Sequence, residues 1–210
     1  MQVYNIPTGA IGTNTYLVFD DENGDTKQGF LVDPGSYNSN IAEKIKEMGI
    51  DITNIILTHG HADHIMGVEG FKSDFPEAKV VANVNEKEML ADTDFNMSRQ
   101  FGQPTSIDAD IYVDDEDEMD IGGMHLKFLF TPGHSPGGMC IYIPEENTLF
   151  SGDTLFQASI GRTDFPGCSF KALEQSIHEK LWPLPDETQV FPGHMGPTNI
   201  GFEKEHNPFV

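Results

Sequence analysis

Directly after the apolar run Ile55-Ile56-Leu57, the segment Thr58-His59-Gly60-His61-Ala62-Asp63-His64 carries three imidazoles and one carboxylate. Nitrogen and oxygen donors of intermediate softness, gathered on one turn, suit zinc-like ions. Gly60 and Ala62 leave the turn room. A lone histidine is more often a hydrogen-bonded structural residue than a ligand, so the cluster, not any one member, points to metal chemistry. Three more apolar runs end the same way, in Thr-Pro-Gly-His134, Ser-Gly-Asp153 and Pro-Gly-His194. Ligands in α/β proteins collect beyond the carboxyl ends of strands, so four such endings can meet at one place. Five of the eight histidines lie in these turns. His125, His178 and His206 do not, and read as surface or structural residues. In particular His125 alternates with Met124, Leu126 and Phe128 and should face away from them.

Positioning those turns requires strands that deliver them. Val3 to Ile6, Tyr16 to Phe19 and Phe30 to Asp33 are short β-branched and aromatic runs separated by Gly, Asn and Asp turns, and read as antiparallel strands. A helix follows with Ile41, Ile45 and Met48 on one face, Asn38 and Asn40 to cap it, and Gly49 where it stops. Asn54 to Leu57 is a strand, Val68, Phe71 and Phe75 mark a helical face, Lys79 to Ala82 another strand, and Asn85 with Glu88 a capping-box-like helix start. Residues 92–106 read as irregular. The acidic stretch Asp114 to Asp120 reads as a solvated turn between strands. Met124 to Phe130, Met139 to Ile143 and Thr148 to Phe150 are strands. A helix over Ser169 to Leu181 then carries Phe170, Leu173, Ile177 and Leu181 on one side, and Gln189 to Phe191 closes the series. Alternating strands and helices predict a layered α/β fold.

A chain of 210 residues with 38% hydrophobic and 10% aromatic content is predicted to form one packed domain over residues 1–210. Its net charge of -22, from 34 acidic against 12 basic residues, opposes nucleic-acid binding, which needs Lys and Arg to displace counterions. Small anions are repelled too unless a metal or a placed cation compensates. The two cysteines, Cys140 and Cys168, make no disulfide framework and read as unreactive. Met1 is not followed by a basic segment and an apolar signal stretch, and no apolar run approaches the ~18 residues of a membrane span. A cytoplasmic protein without a membrane partner is the expectation; composition says nothing of its oligomeric state.

His59-x-His61-x-Asp63-His64, with His134, Asp153 and His194 following in order, resembles the ligand set of the metallo-β-lactamase superfamily over nearly the whole chain. The resemblance implies an αββα sandwich with its site at one edge of two facing sheets. It implies that His59, His61 and His134 hold one metal ion, Asp63, His64 and His194 a second, and that Asp153 bridges them. Asp33, in Leu-Val-Asp-Pro-Gly, matches the first motif as a structural supporter. The implied cofactor is a pair of divalent ions, zinc first, with iron or manganese as alternatives that the same donors accept. A water shared by such ions loses its proton near neutral pH, because bound zinc brings its pKa from 15.7 toward ~7. Asp63 would hold one metal and orient that hydroxide as the catalytic carboxylate. No Gly-x-Ser-x-Gly elbow offers a serine alternative.

Gly161-Arg162-Thr163-Asp164-Phe165-Pro166 is similar to the corresponding segment of glyoxalase-II-like proteins, which makes a small-molecule thioester such as lactoylglutathione the expected substrate. Sixteen residues follow His194, so the helical C-terminal domain of full-length glyoxalase II is expected to be absent, as in the short glyoxalase-II-like subgroup. Arg162 is the candidate for contacting substrate or fixing the site loop, with a buried salt bridge to Asp164 as its alternative. The rival enzyme is a mononuclear-iron persulfide dioxygenase, using positions matched by His59, His134 and Asp153. Ile160 stands where that resemblance leads one to expect cysteine. A β-lactamase comes third, and a flavodiiron oxidoreductase is disfavoured by His61 where that family favours glutamate. From outside enzymology comes a metal-binding module that has lost turnover, against which stands the complete ligand set.

Overall fold

The computed structural model describes residues 1–21 and 27–210, so the turn expected between the second and third strand runs lies largely outside the described residues. Strands Gln2–Thr8 (β1) and Thr13–Phe19 (β2) pair antiparallel, and the period-two alternation of β2 decides the architecture. Tyr16 and Val18 enter one apolar cluster, while Leu17 and Phe19 enter another on the opposite face. A strand buried on both faces needs cover on both. Lys27–Val32 (β3) continues the sheet antiparallel to β2. Ser39–Glu47 (α1) then crosses over to Ile50–Ile56 (β4), parallel to β3. Ala62–Ile65 (α2) and Val68–Asp74 (α3) lead to Lys79–Asn83 (β5), Lys87–Ala91 (α4) follows, and Ile111–Val113 (β6) completes a six-stranded sheet in the order β1 to β6.

The second sheet is built from Glu118–Ile121 (β7), Met124–Phe130 (β8), Met139–Ile143 (β9) and Thr148–Gly152 (β10). A small hairpin, Leu155–Phe156 (β11) with Ser159–Ile160 (β12), branches off before Phe170–Ser176 (α5). Gln189–Pro192 (β13) and Thr198–Asn199 (β14) finish the sheet in the order β14-β13-β10-β9-β8-β7, and Ile200–His206 (α6) ends the chain's regular structure.

Three apolar layers follow. Tyr16, Phe30 and Val81 of the first sheet face Leu126, Phe128 and Phe150 of the second. Outside the first sheet, Leu31 and Ile55 pack on Ile45, Val68 and Phe71 of α1 and α3. Outside the second, Leu149 and Val190 pack on Leu173, Ile177, Leu181 and Ile200. The fold is therefore the αββα sandwich that the resemblance implies. Among the described residues no helix is long and apolar enough to cross a membrane.

Local expectations hold with a few corrections, the first being that the acidic stretch read as a turn over Asp114 to Asp120 is already strand β7 from Glu118 onward. Asn38 caps α1 by accepting from the Asn40 backbone N–H, and Gly49 takes φ 70° just beyond it. Asn85 caps nothing: Asn83 accepts from the Asn85 N–H and opens a 3₁₀ turn before α4, because β5 runs one residue further than the sequence indicates. The helix expected over Ser169 to Leu181 is two pieces, α5 capped by Ser169 and a π-helical turn over Ile177–Leu181. Its first apolar residue, Phe170, is 45% exposed, so the buried stripe starts at Leu173. Asp33 lies just past β3, at φ 49°. His125 faces solvent and pairs with Asp120, as its alternation requires. Cys140 is buried, but Cys168 is only half-buried, with its thiol donating to the His134 carbonyl.

At the centre of the inter-sheet layer, the Phe150 ring lies 5.2 Å from Tyr16, 5.5 Å from Phe191 and 6.4 Å from Phe30, centroid to centroid. Phe150→Ala is expected to lower unfolding stability by about 3–5 kcal/mol, read as a fall in denaturant midpoint at unchanged slope.

Candidate metal centre

The first sheet delivers the histidine-rich turn at the end of β4, and the second delivers His134, Asp153 and His194 at the ends of β8, β10 and β13. One carboxylate fixes the junction on the first side. Asp33 Oδ1 accepts from the Thr58 N–H at 2.8 Å, and its Oδ2 accepts from Thr58 Oγ1 at 2.6 Å. Oδ2 also lies 2.9 Å from His64 Nδ1 and so directs His64 Nε2 toward the other donors. The supporting role expected for Asp33 is thus visible as geometry.

All seven expected donors come together. Donor atoms of His59, His61 and His134 lie within 4.8 Å of one another, and so do those of Asp63, His64 and His194. Asp153 sits between the two groups: its Oδ2 is 3.4 Å from His134 Nε2 and 3.6 Å from His194 Nε2, and its Oδ1 is 3.5 Å from His64 Nε2. His61 Nδ1 and His134 Nε2 face each other at 2.9 Å. His59 Nε2 and Asp153 Oδ1 are buried with no hydrogen-bond partner. Buried polar atoms left unpaired cost about 1–3 kcal/mol each, and a shared divalent cation would partner them. The donor set therefore fits two such ions.

Electrostatics favour lone pairs over protons at His59, His61 and Asp63. Burial, then the neighbouring imidazoles of His64 and His134, hold His59 well below the usual histidine range. Burial, with His134 next, brings His61 down to about 3. Burial alone would raise Asp63, but the charge of His64 and the contact with His194 outweigh it and keep the carboxylate ionised. His64 is the exception. Burial opposes its protonation, yet Asp63, Asp153 and Asp33 together raise it well above the ordinary value.

Several supporting residues have no signal in the sequence. Thr13 Oγ1 donates to Asp63 Oδ2 at 2.8 Å. Asn14 Nδ2 donates to the Pro192 and Met195 carbonyls at 2.9 Å, and Tyr16 Oη to Pro192 at 2.7 Å, so β2 fastens the His194 turn from across the sandwich. Glu86, 1% exposed, accepts from the Gly60 N–H through Oε1 and from the Gly137 N–H through Oε2, tying the histidine-rich turn to the loop after His134. Burial pushes its carboxyl up to about 7 against those two bonds. Gly193 is required sterically, because a Cβ there would stand 2.3 Å from Asp153 Oδ1 and 2.7 Å from His64 Cε1.

The cluster opens on a cleft of about 560 Å³ bordered by His61, Asp63, His134, Asp153 and His194. Arg162 lines it in two ways. Its backbone carbonyl lies 2.8 Å from His134 Nδ1 and so fixes that ring. Its guanidinium binds Asp164 through Nε at 2.9 Å and Nη2 at 2.8 Å and stacks 4.2 Å over Phe165. The salt bridge to Asp164 does form, but exposed rather than buried.

The pattern of the metallo-β-lactamase superfamily matches residues 8–194. The chain belongs to that superfamily. It is 38% identical over its whole length to the probable metallo-hydrolase YqgX of Bacillus subtilis, covering 98% of that protein. It is 35% identical, again over its whole length and 98% of the relative, to the hydroxyacylglutathione hydrolase GloC of Haemophilus influenzae. Among solved structures, the BLEG-1 B3 metallo-β-lactamase superposes with a TM-score of 0.90 at 37% identity, over 99% of both chains. Superfamily membership and the clustered His and Asp donors together make this a metallo-hydrolase with a site for divalent metal.

Gly193→Ala is expected to reduce bound metal by at least one equivalent per chain while leaving the far-ultraviolet circular dichroism unchanged, a combination measurable by elemental analysis on folded protein. Glu86→Ala leaves two buried N–H groups unpaired and is expected to destabilise by about 2–4 kcal/mol. Glu86→Gln, which keeps one acceptor, should lose about half as much in the same denaturant titration.

Proposed function

We propose that this chain hydrolyses thioesters with the aid of two divalent ions, as a glyoxalase-II-like enzyme. The observation that carries the reading is the pair of donor groups, His59, His61, His134 and Asp63, His64, His194, meeting around Asp153 at the floor of a cleft. Support for the thioester comes from the Gly161 to Pro166 segment and from the relative named as a hydroxyacylglutathione hydrolase. In this reading His59, His61 and His134 would hold one ion and Asp63, His64 and His194 the other, with Asp153 lying between the two groups. Bound there, two zinc-like ions supply a nucleophilic water at neutral pH and polarise an acyl carbonyl.

The chain's own residues supply orientation. Asp63, anchored by Thr13, accepts a hydrogen from the attacking water and aims its lone pair at the acyl carbon. His134, fixed through the Arg162 carbonyl, keeps its Nε2 turned to the cluster. Phe156, Ile160 and Phe165 wall the cleft and exclude bulk water from the reacting carbonyl. The C–S bond breaks as the new C–O bond forms, and one thioester and one water give a carboxylic acid and a thiol. Arg162, paired with Asp164, lines the cleft beside Phe165.

Metal content of native protein, with rates on lactoylglutathione, other acyl-thiol esters and a β-lactam, tests this reading. Two metal equivalents with thioester turnover abolished by chelation and restored by zinc is the expected result. One iron with persulfide-dependent oxygen uptake, or full metal loading with no thioester turned over, defeats it. Asp63→Asn is expected to lower kcat by about 10²–10³-fold, with a smaller change in KM. Arg162→Ala is expected to change KM more than kcat; unchanged kinetics at full metal content would remove Arg162 from the site.

A further inference from the structure

Beyond the metal site at its floor, the cleft lining gives an anionic carrier a single cationic side chain. Of the twelve basic residues in the chain, Arg162 is the one that lines it, and that guanidinium is already bound through two nitrogens to Asp164. Arg99, close in sequence to cleft residues Gln100 and Phe101, spends its charge on Asp94 at 2.9 Å. Around this lies a protein of net charge -22, whose field disfavours any further negative charge. What the rim does present is hydrocarbon and thioether: Ile11 is 56% exposed, Phe101 41% and Met195 59%. A group of exposed apolar side chains at the mouth of a site is a binding surface for apolar matter.

The backbone singles out the two methionines of this wall. Met97 and Met195 both line the cleft and both sit at positive φ, 66° and 68°, where residues with side chains rarely go. Such conformations persist where the surroundings enforce them, and Asn14 Nδ2 holds the Met195 carbonyl at 2.9 Å. Thioether side chains adapt to ligands of irregular shape. From this wall we infer that the chain, read as a thioester hydrolase, takes esters whose thiol carrier and acyl group are uncharged and apolar at the cleft mouth, in preference to esters of the anionic glutathione.

The test separates this inference from the reaction assigned above by measuring binding without turnover. Calorimetric titration of zinc-loaded protein compares two non-hydrolysable thioethers with the same alkyl chain, S-hexyl-N-acetylcysteamine and S-hexylglutathione. The neutral compound is expected to bind at least tenfold more tightly at about 20 mM salt, with the gap narrowing at about 500 mM as the repulsion is screened. Met195→Ala should weaken the neutral compound about fivefold at unchanged zinc content. Equal or tighter binding of S-hexylglutathione overturns the inference, whether or not any thioester is hydrolysed. Tight neutral binding with no thioester turnover upholds it while removing the proposed reaction. In the turnover arm, a kcat/KM for N-acetylcysteamine esters below that for the matched glutathione esters likewise overturns it.

Discussion

A carboxylate buried in protein needs hydrogen-bond donors from several directions to offset its lost hydration, and this molecule is organised around three that find them. Asp33 joins the end of β3 to the Thr58 turn and aims His64. Glu86 joins that same turn to the loop behind His134. Glu203 accepts from the Ala158 N–H, from Thr198 Oγ1 and from Asn207 Nδ2, and so joins α6 to the β11–β12 hairpin. Each links segments far apart in sequence. The apolar layers bring the two sheets together, but non-directional packing cannot place an imidazole nitrogen to within a few tenths of an ångström. These carboxylates can, because their geometry is directional and an unpaired buried partner is costly.

The fold and the donor set were legible for different reasons. His59, His61, Asp63 and His64 stand out because four donors in six residues is improbable on a solvated surface. His134, Asp153 and His194 stand out because each follows an apolar run and a glycine, which marks a strand end and a tight turn. Alternation in β8 showed which of its side chains face the core, and gave His125 its outward direction. The supporting shell was illegible. Glu86 and Glu203 look like any of the 34 acidic residues until tertiary contacts bury them; Tyr16 reads only as the start of an early strand, and Thr13 and Asn14 fall before it, although β2 begins at Thr13. The misplaced cap at Asn85 has a similar origin. Asn83 and Asn85 are equally good capping residues, and the end of β5 chooses between them.

Chemistry and selectivity rest on separate parts of the chain. The donors sit at the ends of sheet strands and on α2, packed so closely that Gly193 admits no side chain. The cleft mouth is formed by loops around Ile11, Phe101 and Met195 and by the β11–β12 hairpin. The donor cluster therefore fixes where a metal ion can act, while the walls govern which molecule reaches it.

The hairpin wall is held from the chain's far end. Glu203 and Asn207 grip Ala158 and the Ser159 carbonyl, so Phe156 and Ile160 are propped by a helix whose inner face carries Ile200 into the core. Small shifts of that terminal strut would tilt the hairpin and widen or narrow the mouth while every donor stays in place. Two proteins identical at all seven donors could thus diverge in diet through drift in a dozen residues that never approach the reacting atoms.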